Sequence, residues 1–415
     1  MNHSPLLLQL VIILGAARLL GLVLRYFGQP AVIGEMAAGI VLGPVVFGAI
    51  APELHAQIFA PSSRGALEGI SQLGLVLFMF IVGAELRVPT GVRSQLIAST
   101  WIGVLSVLLP MGLGFAIAFP LYPVVSIPGV AFWPFALFLA VAMSITAFPV
   151  MARILKDRNM TQTTVGRLGL TSAAVADVLA WVALAVVVVL ASSAHDWNLL
   201  IRQIVGVALL AAVIFGVFRP LIAWLLAKYA SDGRPAGALL AALLVGTFAC
   251  AYATDYLGVH AVFGAFLFGA CVPRDDRLLQ ALIERIEHVA VLVLMPVFFA
   301  LAGLNTTSDA FVGAGLGSLG LIMAVAIFGK IAGGVIGARI SRYSWRESFA
   351  VGSLMNARGL MELIVMKVGL DIGVIGPQLF TMLLVMALVT TVMTSPLVTL
   401  FTRNARVAEE HQPVR

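Results

Sequence analysis

The chain has 415 residues, of which 61% are hydrophobic and 11% are charged, and its formal net charge is +6. Soluble proteins carry roughly 25% charged residues, so the composition excludes a soluble enzyme or binding module and indicates a polytopic membrane protein throughout. The positive charge does not indicate a nucleic-acid partner, because the basic residues are concentrated between apolar runs.

Taken in chain order, the apolar runs predict an all-α protein of about 13 transmembrane helices, since a helix needs ~20 apolar residues to cross a bilayer. The second run passes through Pro44, and the tenth ends near residue 304. A proline-bearing loop with Pro120, Pro123 and Pro128 is predicted between the fourth and fifth runs. The other runs cover about 5–25, 67–86, 94–119, 132–155, 168–191, 199–229, 236–256, 259–272, 311–340, 348–370 and 380–401.

Lys and Arg residues are distributed unequally between the two sides of this arrangement. Of the 25 basic residues, 18 follow odd-numbered runs, whereas the loops after even-numbered runs hold only Arg64 and Arg202. Basic residues accumulate in cytoplasmic loops. The pattern therefore predicts an N-terminus outside and a C-terminus in the cytoplasm.

The sixth run contains a single acid, Asp177, near its middle. A lone carboxylate at membrane depth is costly, so a site for an ion, a proton or a substrate is the first interpretation. The alternative is a structural acid that pairs with a neighbouring helix. Lys330 introduces a base into the eleventh run in the same way.

Two runs carry signals of an interrupted helix. In the fifth run, Pro149 follows Thr146, and a proline within a helix removes a hydrogen bond and frees a carbonyl group upstream. In the twelfth run, the polar segment 356–359 contains Asn356 and Arg358. Irregular backbone at membrane depth is tolerated only inside protein or beside a polar cavity. An acid, a base and two interrupted helices together predict an ion-coupled transporter.

The interrupted helices occupy matching places in two halves of the chain. Runs four to six contain a helix, an interrupted helix and the Asp177 helix, and runs eleven to thirteen begin with the Lys330 helix and an interrupted helix. An offset of seven runs reverses the orientation in the membrane, which predicts an inverted repeat. Matching interruptions in two halves mark the binding site of a transporter.

The expected chemistry is competition for one carboxylate. Asp177 offers a hard oxygen to a transported metal ion, Na⁺ or K⁺, and Thr146 and Ser172 are candidate hydroxyl ligands. Burial disfavours the charged form of Asp177, whereas a nearby Lys330 favours it, so a proton and a cation can exchange at this position.

Supporting charges are expected at the second interruption. Arg358 and Glu362 are four residues apart, a spacing that places them on one helix face. Glu362 is therefore expected to be engaged in a contact with Arg358. Together with Lys330, Pro149 and Asn356, they complete the candidate site.

Enzyme motifs are not found in the sequence. Gly329-Lys330 precedes Ile331, and the earlier glycines have the wrong spacing for a phosphate-binding loop. No cofactor is expected. Two alternatives to cation/proton antiport remain: an exporter of another solute on the same scaffold, and a sensor or channel-like protein without coupled flux.

An ordered set of segments resembles the monovalent cation/proton antiporter superfamily, in the branch with bacterial sodium/proton antiporters, glutathione-gated potassium efflux systems and plant cation/proton exchangers. The resemblance is carried by residues 29–35, 42–44, 82–86, 144–155, 173–181, 264–269, 296–304 and 356–362.

The resemblance implies a homodimer in a bacterial inner membrane. Its transmembrane domain would cover residues 1–403, followed by a short cytoplasmic tail at 404–415. A mobile core of helices at about 94–192 and 311–402 would carry the two interrupted helices, crossed over one another, and would move against a dimerisation domain. By position, Asp177 matches the ion-binding aspartate of the family, and Lys330 matches its basic core residue. Many relatives have Asp, Asn or Gln where this chain has Ala176. An Asp there accompanies electrogenic exchange, so Ala176 favours electroneutral exchange.

Overall fold

The computed structural model describes residues 5–60, 63–85, 93–158, 160–192, 197–229, 237–273 and 285–409. Every regular element in these ranges is helical, which confirms the all-α prediction. Several basic residues used for the orientation lie outside the described residues, namely Arg87, Arg234, Arg274, Arg277 and Arg415.

The helices are numbered here in chain order. A π-helical turn, Ile214–Phe218, joins α10 to α11, and a second one, Ala290–Leu294, precedes α14. The helices are α1 Pro5–Tyr26, α2 Ala31–Leu42, α3 Phe47–Ile50, α4 Pro52–Ile58, α5 Arg64–Glu85, α6 Arg93–Val125, α7 Phe132–Ser144, α8 Phe148–Asp157, α9 Thr164–Ser192, α10 Trp197–Val213, α11 Arg219–Tyr229, α12 Gly237–Tyr256, α13 Ala261–Cys271, α14 Met295–Leu304, α15 Ala314–Ile340, α16 Trp345–Met355, α17 Leu360–Asp371 and α18 Pro377–Glu409.

In the described part of the chain, ten helical spans are long and apolar enough to cross a membrane. The other three predicted runs correspond to the pairs α7–α8 and α16–α17 and to the short helix α13. Each of these helices is shorter than the ~20 residues that a full crossing requires. A multi-pass membrane protein is therefore confirmed, and the number thirteen stays a prediction.

Helix α6 corrects the predicted loop after the fourth run. The helix continues to Val125 and contains Pro110, Pro120 and Pro123, so only Pro128 lies in the connection to α7. Prolines within membrane helices are tolerated because neighbouring groups satisfy the freed backbone. At the other end of the chain, residues 404–409 of the expected tail continue α18, and 410–415 lie outside the described residues.

The chain divides into two compact units. The first unit comprises Met1–Gly15, Phe47–Arg87 and Val188–Leu301. Within it, α5 and α13 approach closely through two glycines: a Cβ atom on Gly83 would lie 2.2 Å from the carbonyl oxygen of Phe266, and one on Gly269 would lie 2.1 Å from that of Phe80. Small residues at such positions allow membrane helices to pack backbone against backbone.

The second unit comprises Ala16–Val46, Val88–Val187 and Ala302–Arg415. Its central contact is between α6 and α15, where a Cβ atom on Gly333 would lie 2.5 Å from the carbonyl oxygen of Leu105 and one on Gly337 would lie 2.5 Å from the Cα atom of Ile102. The unit contains both copies of the predicted pattern. The first copy is helix α6, the interrupted pair α7–α8 and helix α9 as far as Val187, and the second is α15, α16–α17 and α18.

Candidate ion-binding site

The first interruption lies between α7 and α8, where residues 145–147 are not helical. The carbonyl groups in the last turn of α7 consequently have no partner within the helix. Pro149 lies in the first turn of α8, where a backbone N–H needs no helical partner. The expectation that Pro149 frees the carbonyl groups is therefore wrong: they are free because α7 ends at Ser144. The side chain of Pro149 lies outside the described residues.

The second interruption lies between α16, which ends at Met355, and α17, which begins at Leu360. Gly359 has φ +150°, a conformation that L side chains rarely adopt, and a Cβ atom there would lie 3.0 Å from Val150 Cγ2 on α8. Glycine thus lets α17 begin directly beside the first interruption.

The two interruptions meet through their main chains. The N–H of Ala147 donates a hydrogen bond of 3.0 Å to the carbonyl oxygen of Ala357, and both residues are buried. The two interruptions therefore meet at their non-helical segments, as expected of the crossed helices that the resemblance implies.

Lys330 on α15 binds the end of the first half-helix. Its ammonium group is fully buried and donates to the carbonyl oxygens of Ser144 and, at 3.1 Å, Ser106, and to Thr146 Oγ1 at 2.6 Å. An ammonium group has three protons. All three are thus matched by oxygen atoms of neutral groups.

Arg358 binds the same half-helix from the second interruption. Its Nη2 atom donates to the carbonyl oxygen of Met143 at 2.7 Å, and Nη1 donates to that of Ala142 at 3.3 Å. Nη1 also forms a 2.7 Å ion pair with Glu362, and both side chains of the pair are fully buried. The predicted Arg358–Glu362 contact is present, and it occupies one of the two carboxylate oxygens of Glu362.

Asp177 lies on α9, in the same unit, and is 5% exposed. An electrostatic interaction links Asp177 to Lys330. Among the described residues, however, no hydrogen bond or ion pair to the Asp177 carboxylate is formed, since Lys330 donates to Ser106, Ser144 and Thr146 instead. Asp177 is thus a buried acid whose carboxylate oxygens are not engaged by these neighbours.

The remaining candidates differ in how far their polar atoms are occupied. The hydroxyl oxygen of Ser172 is buried and makes no hydrogen bond within the described part of the chain. Asn356 donates from Nδ2 to the carbonyl oxygen of Thr390 at 3.2 Å, while its buried Oδ1 has no partner there. Thr146 already accepts a hydrogen bond from Lys330, which leaves one lone pair on its hydroxyl oxygen.

Sequence reasoning missed two contributors to this network. Thr391 Oγ1 accepts from the N–H of Arg358 at 3.0 Å and lies 2.8 Å from the carbonyl oxygen of Arg358. The adjacent hydroxyls of Thr390 and Thr391 within the last apolar run were the available signal. The contribution of Ser106 is a backbone carbonyl group, which any residue would supply, so no sequence signal exists for it.

Comparison with known proteins agrees with this geometry. The family described as "Sodium/hydrogen exchanger, transmembrane" matches residues 11–402. The chain is 37% identical to the Na⁺/H⁺ antiporter NhaS4 of Synechocystis over 96% of its own length and 98% of the relative. It is 37% identical to cation/H⁺ antiporter 17 of Arabidopsis thaliana and 33% identical to K⁺/H⁺ antiporter 1 of Saccharomyces cerevisiae, each over 95% of its own length.

The lengths of these relatives differ. The chain spans 48% of the Arabidopsis protein and 46% of the yeast protein, about half of each. Among solved structures, the sodium/proton antiporter MjNhaP1 of Methanocaldococcus jannaschii has a TM-score of 0.63 at 16% identity, covering 98% of this chain and 99% of that one. At this identity the likeness establishes the fold alone.

The family match covers nearly the whole chain, and the family consists of transporters, which supports the expectation that the protein is not an enzyme. The resemblance to the monovalent cation/proton antiporter superfamily is confirmed: the chain belongs to the sodium/hydrogen exchanger family.

Proposed function

We propose that this protein is a secondary active antiporter that exchanges a monovalent cation, Na⁺ or K⁺, for protons by alternating access. The observation that carries the proposal is the contrast between two buried acids. Glu362 is held by Arg358, whereas Asp177 makes no hydrogen bond or ion pair with the described residues. A carboxylate that the fold buries without engaging its oxygens is suited to bind a transported ion.

The coupling follows from the cost of burying charge. A carboxylate at membrane depth needs a neutralising partner, and either a proton or a cation can supply it at Asp177. The two occupants exclude each other, so a gradient of one drives the other. The buried hydroxyl of Ser172 makes no hydrogen bond to the residues that the structure describes, so it is the better candidate for an additional ligand. Thr146 can contribute its remaining lone pair.

The transport movement is assigned to the second unit. All of the candidate site residues lie in the ranges of this unit, namely Thr146, Pro149, Ser172, Asp177, Lys330, Asn356, Arg358 and Glu362. This supports a mobile core built mainly from residues 94–192 and 311–402, although 188–192 belong to the first unit. We include Ala16–Val46, which belongs to the same unit, in the proposed core. The first unit is then the dimerisation domain of a homodimer.

The names of the relatives support both candidate cations, since one is a Na⁺/H⁺ antiporter and another a K⁺/H⁺ antiporter. The test is transport by the purified protein in proteoliposomes that contain a pH-sensitive dye. Addition of Na⁺ or K⁺ should move protons out of vesicles with an acidic lumen, and choline should not. Proton movement that is the same with all three cations would contradict antiport.

Location and orientation are part of the proposal. The basic-residue pattern supports an N-terminus outside and a C-terminus in the cytoplasm. The proposed location, a bacterial inner membrane, rests on the family resemblance. A reporter fused after Arg406 should be cytoplasmic, and one inserted between residues 51 and 64 should be external. The opposite labelling at both positions would overturn the orientation.

A further inference from the structure

An apolar groove lies along α15 and α16, on residues that the ion site does not use. Its volume is about 500 Å³, and its walls include Phe328, Ile331, Ala332 and Phe349. Phe328 is 65% exposed, a large value for a residue of this size in a packed helix. In a membrane protein, an open apolar groove on a spanning helix can accommodate a hydrocarbon chain.

The short connection between α15 and α16 places three arginines at one end of this groove. The guanidinium of Arg339 lies over the ring of Trp345 at 4.5 Å and donates to the carbonyl oxygen of Tyr343. The side chains of Arg342 and Arg346 are exposed, and neither guanidinium group makes a hydrogen bond or ion pair with the described residues. Two cations on this turn are therefore available to an external anion.

The acid of the same turn does not neutralise these arginines by direct contact. Glu347 forms a capping box with Ser344: its carboxylate accepts from the Ser344 N–H at 3.0 Å and from the Ser344 hydroxyl at 2.7 Å. The net charge of residues 339–347 is positive, since this segment contains three arginines and one glutamate.

The groove and the basic turn are continuous. On α16, Arg346 and Phe349 are three residues apart and share one face, and on α15 the same holds for Ile336, which lines the groove, and Arg339. Trp345 contacts Phe349 with ring centroids 6.1 Å apart, and tryptophan is typical of the membrane interface. From Ala324 to Ile336 the groove rises about 18 Å along α15, close to one leaflet of a hydrocarbon core ~30 Å thick.

We propose that this groove is a binding site for an anionic phospholipid, with one acyl chain beside Phe328, Ala332 and Phe349 and the phosphate at Arg342 and Arg346. An anionic lipid fits better than a neutral apolar partner, because the groove ends near Arg342 and Arg346, whose side chains are not paired with any described residue. The lipid would bridge α15, which carries Lys330, and α16, which leads to the second interruption.

The experiment is a lipid titration of the purified full-length protein in detergent, followed by thermal unfolding. Phosphatidylglycerol should raise the unfolding temperature at concentrations where phosphatidylcholine and inorganic phosphate do not. In the double variant Arg342→Gln/Arg346→Gln, the midpoint of the phosphatidylglycerol titration should rise about 30-fold, as expected from two lost arginine contacts with an anionic headgroup.

Two further variants separate the groove from the charges. Ala332→Phe fills the groove and keeps the arginines, and it should also abolish the preference for phosphatidylglycerol. Ile336→Trp also fills the groove, at a position that is 45% exposed. The matched control is Arg25→Gln/Arg93→Gln, which removes two exposed arginines elsewhere and should leave the titration unchanged.

Several outcomes would overturn the proposal. These are an equal response to phosphatidylcholine, a response to inorganic phosphate alone, or an unchanged phosphatidylglycerol midpoint in the arginine double variant. Loss of the response in the arginine variant but not in either groove variant would indicate a headgroup contact without the groove, and would also overturn it.

Discussion

The two interrupted helices differ in what they contribute. The first, α7–α8, supplies uncharged groups: the free carbonyls of Ala142, Met143 and Ser144 at the end of α7. The second, α16–α17, supplies charge through Arg358 and Glu362. The groups that one half leaves unsatisfied are thus bound by cations from the other half, Arg358 and Lys330.

This comparison separates structural charges from the functional one. A helix end at membrane depth needs hydrogen-bond donors, because each unsatisfied backbone group there costs several kcal/mol. Lys330 and Arg358 meet that need, and Glu362 offsets Arg358. Among the described residues, Asp177 neither binds a helix end nor pairs with another charge. If this division is correct, changes at the structural charges should reduce stability, and a change at Asp177 should remove transport alone.

The largest effect is expected for Asp177→Asn. An amide cannot exchange a proton for a cation, so proteoliposomes with this variant should move protons no faster than empty vesicles. Its thermal unfolding should match the wild type, because Asp177 holds no described partner. The control is Asp255→Asn, an exposed acid of the first unit, which should transport normally. Substantial antiport by Asp177→Asn would make the carboxylate a structural group.

Arg358→Gln should have the next largest effect, on stability. Removing one member of a buried ion pair leaves the other charge uncompensated, which costs about 3–5 kcal/mol. The measurement is thermal unfolding in detergent. Lys367→Gln is the control, because its pair with Asp371 has the same four-residue spacing but lies within α17 and is partly exposed. Such exposed pairs contribute ~0–1 kcal/mol. Similar unfolding of the two variants would show that Arg358 does not hold the crossing together.

A smaller loss is expected for Thr391→Val. The substitution keeps the side-chain shape and leaves the buried N–H of Arg358 without its acceptor, at a cost of about 1–3 kcal/mol. Thr100→Val is the control, because the hydroxyl of Thr100 is exposed and donates to the carbonyl oxygen of Leu96, one turn earlier in the same helix. Equal unfolding temperatures for the two variants would remove Thr391 from the network.

The smallest expected effect is that of membrane potential on transport. Three neutral oxygen atoms surround the ammonium group of Lys330, so it can remain protonated whichever ion Asp177 binds, and one proton then exchanges for one cation. The rate in proteoliposomes should therefore be insensitive to a potential imposed with potassium and valinomycin, using Na⁺ as the test cation. One net charge moved would be worth ~2.3 kcal/mol per 100 mV, so a strong dependence would reveal a second proton.

The sequence predicted the parts of the site that are costly in a membrane. Asp177, Lys330 and segment 356–359 are polar within apolar runs, and the physical cost of burying them is visible in the sequence alone. The Arg358–Glu362 contact was predicted from helical spacing and is present, although Arg358 lies in the interruption before α17 and does not share a helix with Glu362. The family resemblance added the crossing of the interrupted helices, which the Ala147–Ala357 hydrogen bond reproduces.

Other features depend on backbone geometry and could not be predicted. The carbonyl groups of Ser106 and Met143 act as acceptors because of where their helices lie, and their side chains carry no signal of this role. The loop predicted at Pro120 and Pro123 was wrong because proline does not always end a helix, and membrane helices tolerate it where neighbouring groups satisfy the freed backbone.

The crossing of the interrupted helices also has a consequence for biosynthesis. Arg358 and its acceptor at Met143 are 215 residues apart in the chain. Synthesis proceeds at about 5–20 residues per second. Arg358, which donates to the end of α7, is therefore made about 10–40 s after Met143. The first repeat therefore enters the bilayer as an unfinished intermediate, and it depends on water, lipid headgroups or the insertion machinery until the second repeat arrives.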